Sequence, residues 1–220
     1  MNKHIVNTNL REQLYDIIKN MIVVREVKPG EKINEERLAR ETGVSRTPIR
    51  EALCRLENEK IITIIPRKGA FVRKQSEETI REVLEIREVL EGLVTRLATM
   101  NLDEKMLMKL RKSLEKISGV PDEDRHLMRY TQADIQFHSI LLDACCNRML
   151  QTMMNTINTH LQIIRLRTVV LPGRARKTVQ EHHEILKVME KGDPVEAESM
   201  MRKHIESVRG DALKNINLML

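Results

Sequence analysis

The 220-residue chain has no tryptophan, two phenylalanines and two tyrosines. Its cores must therefore be filled by Leu, Ile, Val and 13 Met, a mixture that suits packed helices because Met adapts to irregular gaps. No apolar run approaches the ~20 residues of a membrane-spanning helix, so no such span is expected. Residues 1–10 lack the apolar core and cleavage site of a secretory signal, so a cytoplasmic protein is expected. Cysteine is scarce too. Cys54, Cys145 and Cys146 are odd in number and lack metal-type spacing, and they read as free thiols of a reducing compartment. A hydrophobic fraction of 41% is enough for real cores and argues against global disorder.

What the chain does have is an uneven distribution of charge. The net charge is +6, and residues 1–75 carry all of it, while residues 76–220 balance to zero. Two functional units follow, 1–75 and 76–220, the first suited to a polyanion.

In the first unit, Leu10, Leu14, Ile17, Ile18 and Met21 recur at helical spacing until Lys28-Pro29-Gly30 breaks the pattern. Asn34 can cap a short second helix beginning at Glu35. Ala39, Gly43 and Ile49 then give a small residue, a turn glycine and an apolar residue at helix-turn-helix spacing, with Leu38, Val44 and Ala52 completing a small core. A third helix starts at Ser45, with Pro48 in its first turn, where a missing N–H costs little. Its leading turns expose Ser45, Arg46, Thr47 and Arg50, and no acid intervenes before Glu51. A recognition helix reads base edges with such N-terminal residues, and Arg can grip guanine with two bonds. Ordinary exposed helix surface is the bland alternative. After it, the β-branched run 61–65, a Pro66-Arg67-Lys68-Gly69 turn and Ala70-Phe71-Val72 predict a two-stranded wing whose basic tip, at Lys68, can meet phosphate.

The stretch from Pro29-Gly30 through Glu35, Leu38-Ala39 and the run from Gly43 to Leu53, on to Pro66–Val72, resembles the winged helix of the GntR family of bacterial regulators over most of residues 10–75. The resemblance implies that Arg46, Thr47 and Arg50 contact a double-stranded DNA operator and that Gly69 lies at the wing. Many members carry a further DNA-contacting Arg seven residues before the turn glycine. Glu36 stands there in this chain, and the adjacent Arg37 is the candidate replacement.

Residues 77–213 read as about six helices joined by short loops, which favours antiparallel packing. The expected spans are roughly 77–99, 103–118, 123–145, 147–170, 175–191 and 194–213. The fold class is thus mainly α: a winged helix-turn-helix followed by an all-α antiparallel bundle. Polar residues interrupt three of the apolar stripes. Asp134 and His138 share the buried face of the third helix with Phe137 and Leu141. His182 lies on the stripe of the fifth helix with Ile185 and Leu186, and His204 on that of the sixth with Met201 and Val208. A lone inward histidine is usually a hydrogen-bonded core residue. Four inward donors from three helices suit a divalent metal, zinc first, or nickel, manganese or iron with water completing the shell.

The pattern Asp134-x-x-Phe137-His138-x-x-Leu141, Glu181-His182-x-x-Ile185, Gly192-Asp193 and His204-Ile205 resembles the FCD effector domain of the FadR subfamily over roughly residues 77–213, in its VanR-type branch. In metal-binding members Asp134, His138, His182 and His204 would be the ligands. Arg87, within Glu85-Ile86-Arg87-x-x-Leu90-Glu91, would grip the carboxylate of a small organic acid, its alternative role being an ion pair with Glu91. The family forms homodimers and more usually releases DNA on ligand binding, so a ligand-responsive repressor and no enzyme is expected. Three rivals stand beside this reading: a regulator for which the ion itself is the signal, a metal-dependent hydrolase, and a structural metal with no sensing role.

Overall fold

The computed structural model describes residues 10–117 and 126–220, with the side chain at 159 excepted. The chain divides into two compact units, one ending at Gln75 and one spanning Ser76–Leu220. No helix among the described residues is long and apolar enough to cross a membrane.

The first unit contains α1 (Leu10–Val23), α2 (Glu35–Thr42), α3 (Arg46–Asn58), β1 (Ile62–Ile65) and β2 (Gly69–Val72). Asn34 caps α2 by accepting from the Arg37 amide, and Gly43 ends it in the left-handed conformation that the tight turn into α3 requires. Ser45 is the N-cap of α3, but its side chain makes no capping bond there. Leu14, Ile18, Leu38, Ile49, Leu53 and Leu56 pack the core. A polar clasp joins α1 to the end of α3. Tyr15 donates to Glu59 at 2.7 Å, Lys19 Nζ reaches both groups, and the Arg55 guanidinium lies 3.8 Å above the Tyr15 ring. The wing is antiparallel, with Ile62 opposite Val72 and Ile65 opposite Gly69, and Lys32 pairs with Phe71 as a short third segment.

The second unit contains α4 (Glu77–Met100), α5 (Glu104–Glu115), α6 (Leu127–Ala144), α7 (Arg148–Thr168), α8 (Arg174–Glu190), α9 (Pro194–Lys214) and a one-turn α10 (Ile216–Met219). These are the six expected helices plus a terminal turn. The expected break at Gly119-Val120-Pro121 and the start of the third predicted helix lie outside the described residues. Four of these helices start at side-chain caps. Ser76, Asp103, Asn147 and Asp193 accept from their own first-turn amides, and Pro194 occupies the first turn of α9, where no amide is needed. Val94, Leu110, Phe137, Leu141, Ile185 and Met201 belong to one continuous core. At the C-terminus, Arg167 on α7 is buried and donates to the Met219 carbonyl, holding α10 against the bundle. All three cysteines are free, with only Cys145 buried.

Candidate DNA interface and metal centre

In the first unit, the start of α3 and the wing enclose a groove of about 740 Å³. Arg46, Arg50, Lys68 and Gly69 line it, and so do Lys32 and Arg67. Thr47 lines a separate concavity with Arg11, beside the outer face of Arg50. Ser45 is exposed at the helix start and lines neither concavity; nor does Arg37. The two arginines of α3 in this groove are paired with acids. Arg46 pairs with Glu36 at 2.8 Å, and Arg50 with Glu35 at 3.1 Å. Arg37 is held by Glu41 at 2.7 Å and Glu26 at 2.8 Å. Arg67 belongs to the basic wing tip read from the sequence, whereas the position of Lys32 in this groove escaped that reading. Lys32 is brought to the wing only by the pairing of its backbone with Phe71.

In the second unit, α6, α8 and α9 converge on one buried point. One donor atom from each of Asp134, His138, His182 and His204 lies within 4.8 Å of all the others. His182 Nε2 and His204 Nε2 are 3.3 Å apart. Asp134 Oδ1 is 3.5 Å from His138 Nε2 and 3.7 Å from His182 Nε2. Donors ~2.1 Å from a tetrahedral ion would stand ~3.4 Å apart, so these separations fit a divalent metal.

The protonation of the site points the same way. His138 Nδ1 donates to Glu91 Oε2 at 2.6 Å, and His204 Nδ1 donates to Glu181 Oε2 at 2.7 Å. Burial raises the Glu91 carboxyl, but His138, Arg87 and Arg165 outweigh that and keep it ionised. Burial likewise raises Glu181, and its bond to His204 and the Arg174 charge bring it below its ordinary range. A carboxylate accepting from Nδ1 orients the ring so that Nε2 faces the other donors, the arrangement found behind a metal-ligating histidine. Burial pushes His182 well below its ordinary value, and its histidine neighbours push the same way. His204 is lowered to about 4, by burial against the opposing bond to Glu181. Asp134 is ionised, because His138, Arg165 and Arg87 overcome the cost of its burial.

Arg87 is buried at the edge of this cluster. It donates from Nε to Glu91 at 2.9 Å and from Nη2 to His138 Nε2 at 3.0 Å. The ion pair with Glu91 foreseen from their spacing is therefore present. Sequence reasoning missed Glu91 and Glu181 as orienting groups. Glu91 lies seven residues beyond Leu84 on the α4 stripe, and that position on a buried face was the available signal. Arg87, Asp134 and His182 also border a mostly apolar cavity of about 30 Å³ with Val169, Val179 and Val208, room for about one water.

A basic winged helix followed by a helical bundle with a buried polar centre defines a two-domain DNA-binding regulator. The sequence relationships give the family. Residues 10–72 match the bacterial regulatory proteins of the gntR family, and residues 82–207 match the FCD domain. The chain is 32% identical over 195 residues to the HTH-type transcriptional regulator YdhC of Bacillus subtilis, covering 87% of this chain and 86% of that one. It is 24% identical over 199 residues to the HTH-type transcriptional repressor RspR of Escherichia coli, covering 90% and 87%. Among solved structures, a GntR regulator from Rhodococcus sp. RHA1 superposes with a TM-score of 0.65 at 21% identity, over 94% of this chain and 99% of that one. The metal-free FCD domain of TM0439 gives 0.53 at 20% identity, over 66% and 98%. The chain belongs to the GntR family and carries an FCD domain. It is a DNA-binding transcription regulator, and its relatives are regulators rather than enzymes.

Proposed function

We propose that this regulator is a cytoplasmic homodimeric repressor whose FCD domain binds a divalent metal and a small organic acid, and that acid binding changes its affinity for an operator. The observation that carries the proposal is the convergence of Asp134, His138, His182 and His204, with Glu91 and Glu181 orienting two of the imidazoles. The ion would be held by the three Nε2 atoms and Asp134; when bound it supplies a positive charge, and it would take a ligand oxygen by expanding beyond four donors, as nickel, manganese or iron allow. Arg87, buried and bonded to Glu91 and His138, adds a second positive charge at the centre that a carboxylate would meet.

On the DNA side, Arg46, Thr47 and Arg50 read or position the duplex. Lys68 and Gly69 place the wing on the backbone, and Ser45 contacts phosphate at the start of α3. Arg37, held by two carboxylates, contributes less. The repressor RspR, among the relatives, supports the direction of control.

Dimerisation is supported by α4. Ile86, Val89, Leu93 and Met100 form an exposed apolar stripe along one face of this 24-residue helix. A two-fold dimer matches a palindromic operator. α4 also carries Arg87 and Glu91 and begins directly after the winged helix, so a shift at the centre reaches the DNA-binding unit through the chain. The ligand acts only through a difference in its affinity for the two arrangements.

The test is a gel-shift titration of the metal-loaded protein on its own upstream region, with and without a panel of small carboxylates. Release by one acid, abolished in His204→Ala, fits the proposal. DNA binding that follows metal concentration and ignores every acid points to the ion as the signal. That second reading is favoured by one observation, the engagement of Arg87 by Glu91 and His138.

A further inference from the structure

The groove between α3 and the wing holds an exposed acid as well as its cations. Glu36, in the first turn of α2, lines it together with Arg46, the first residue of α3. Arg46 Nη2 donates to Glu36 Oε1 at 2.8 Å. Both side chains are open to solvent, 57% for Arg46 and 69% for Glu36. The neighbouring pair differs. Arg50 meets Glu35 at 3.1 Å, but Glu35 is withdrawn, with 23% of its side chain exposed. Glu36 is therefore the carboxylate presented to whatever enters the groove.

The Arg46–Glu36 pair has spare bonding capacity on both sides. Among the described residues, Glu36 Oε2 has no hydrogen-bond or ion-pair partner, and neither do Nε and Nη1 of Arg46. Nη2 also carries a second N–H. Along the pair the unspent groups run donor, donor, acceptor: Nη1, Nη2, Oε2. The major-groove edge of a G·C base pair runs acceptor, acceptor, donor: guanine N7 and O6, then cytosine N4–H2. The other base pairs break that match. An A·T pair sets adenine N6–H2 against an arginine donor and thymine O4 against the carboxylate. A reversed pair sets cytosine N4–H2 against the arginine.

A carboxylate close to phosphates weakens DNA binding, and the wing offsets this. Lys32, Arg67 and Lys68 line the same groove, and among the described residues none of them pairs with an acid. Their charges supply attraction that is independent of sequence, which leaves the Arg46–Glu36 pair for the bases.

We infer that Glu36 is a specificity-determining residue and that it reads one G·C base pair jointly with Arg46. Arg46 grips guanine N7 and O6, and Glu36 accepts from cytosine N4. The inference rests on the reading of α3 as the helix that meets the bases, and it adds a residue of α2 to that surface.

The test is selection of binding sites from a randomised duplex library by the full-length protein and by Arg46→Ala, Glu36→Ala and Glu36→Gln, followed by fluorescence anisotropy on single duplexes. The parent should enrich a G·C pair at one position, and Arg46→Ala and Glu36→Ala should both relax that same position. Glu36→Gln keeps an acceptor and sheds the charge, so it should keep the position and bind every duplex more tightly. N4-methylcytosine opposite the guanine leaves the guanine atoms in place and removes the N4–H that faces the groove. It should weaken binding by the parent roughly fivefold and leave Glu36→Ala unmoved. A Glu36→Ala selection identical to the parent's, or one altered at a position that Arg46→Ala leaves intact, overturns the joint reading and keeps α3 as the reading helix. An Arg46→Ala selection identical to the parent's takes the start of α3 away from the bases and overturns both.

Discussion

Glu91 on α4 accepts a 2.6 Å hydrogen bond from His138 Nδ1 on α6, across 47 residues of sequence. The carboxylate is buried, kept ionised by His138, Arg87 and Arg165, and it turns the Nε2 atom of the imidazole toward Asp134. Glu91→Gln preserves the shape but removes the charge. Metal affinity should fall ~10–100-fold, as for other partners behind a ligating histidine. A competition titration with a chromogenic chelator measures this, and an unchanged affinity would show that Glu91 serves only to neutralise Arg87.

Metal removal should loosen the second unit. If the ion binds the folded chain alone, an excess ~100 times its dissociation constant adds ~2.7 kcal/mol of stability. Chelation should therefore lower the melting temperature of the parent. In His204→Ala the chelator should have little further effect. A chelator response of the same size in parent and variant would place the ion elsewhere.

The metal-free protein should lose stability on mild acidification. His204 has a folded pKa of about 4, against about 6.5 when unfolded. The unfolded chain therefore binds a proton between pH 6.5 and 4 that the folded chain refuses. Stability contributed by neutral His204 is full above pH 6.5 and falls as the pH drops through that window, by ~3 kcal/mol at its end. His182, lowered in the same direction, adds to the loss. Urea unfolding at a series of pH values tests this. A flat profile between pH 6.5 and 4.5 would contradict it.

At the DNA interface, Arg46→Ala and Arg50→Ala should each weaken operator binding by ~1–3 kcal/mol. The acids that hold these arginines predict an opposite effect. Glu36→Gln frees Arg46, now paired at 2.8 Å, and removes a negative charge beside the duplex. DNA affinity should rise several-fold, most clearly at low salt. Fluorescence anisotropy at two salt concentrations reads both effects, and a Glu36→Gln variant that binds more weakly would mean that Glu36 positions Arg46 rather than restraining it.

The apolar stripe on α4 predicts the assembly. Val89 is half exposed, and Val89→Glu places a charge in its middle. Sedimentation should show the parent as a dimer and the variant as a monomer that keeps its helicity and its metal. A variant that remains dimeric would move the interface to another face.

The local sequence determined the elements. Caps such as Asn34, Asp103 and Asp193, the Gly43 turn and the apolar stripes act over one or two turns, and for that reason the winged helix and the six long helices were legible. The inward direction of Asp134, His138, His182 and His204 was legible too, since helical periodicity fixes the face on which a residue lies. Their convergence was not, because it depends on how α6, α8 and α9 pack, and a separation of 22 positions between His182 and His204 does not set a distance. Nor did the sequence show that Glu91 would turn away from a simple pair with Arg87 to orient His138 as well, or that Arg165 would be buried between two cavities. Those relations come from tertiary packing, which removes charged groups from water and makes the partner each one finds decide its protonation, its tautomer and its availability to a ligand.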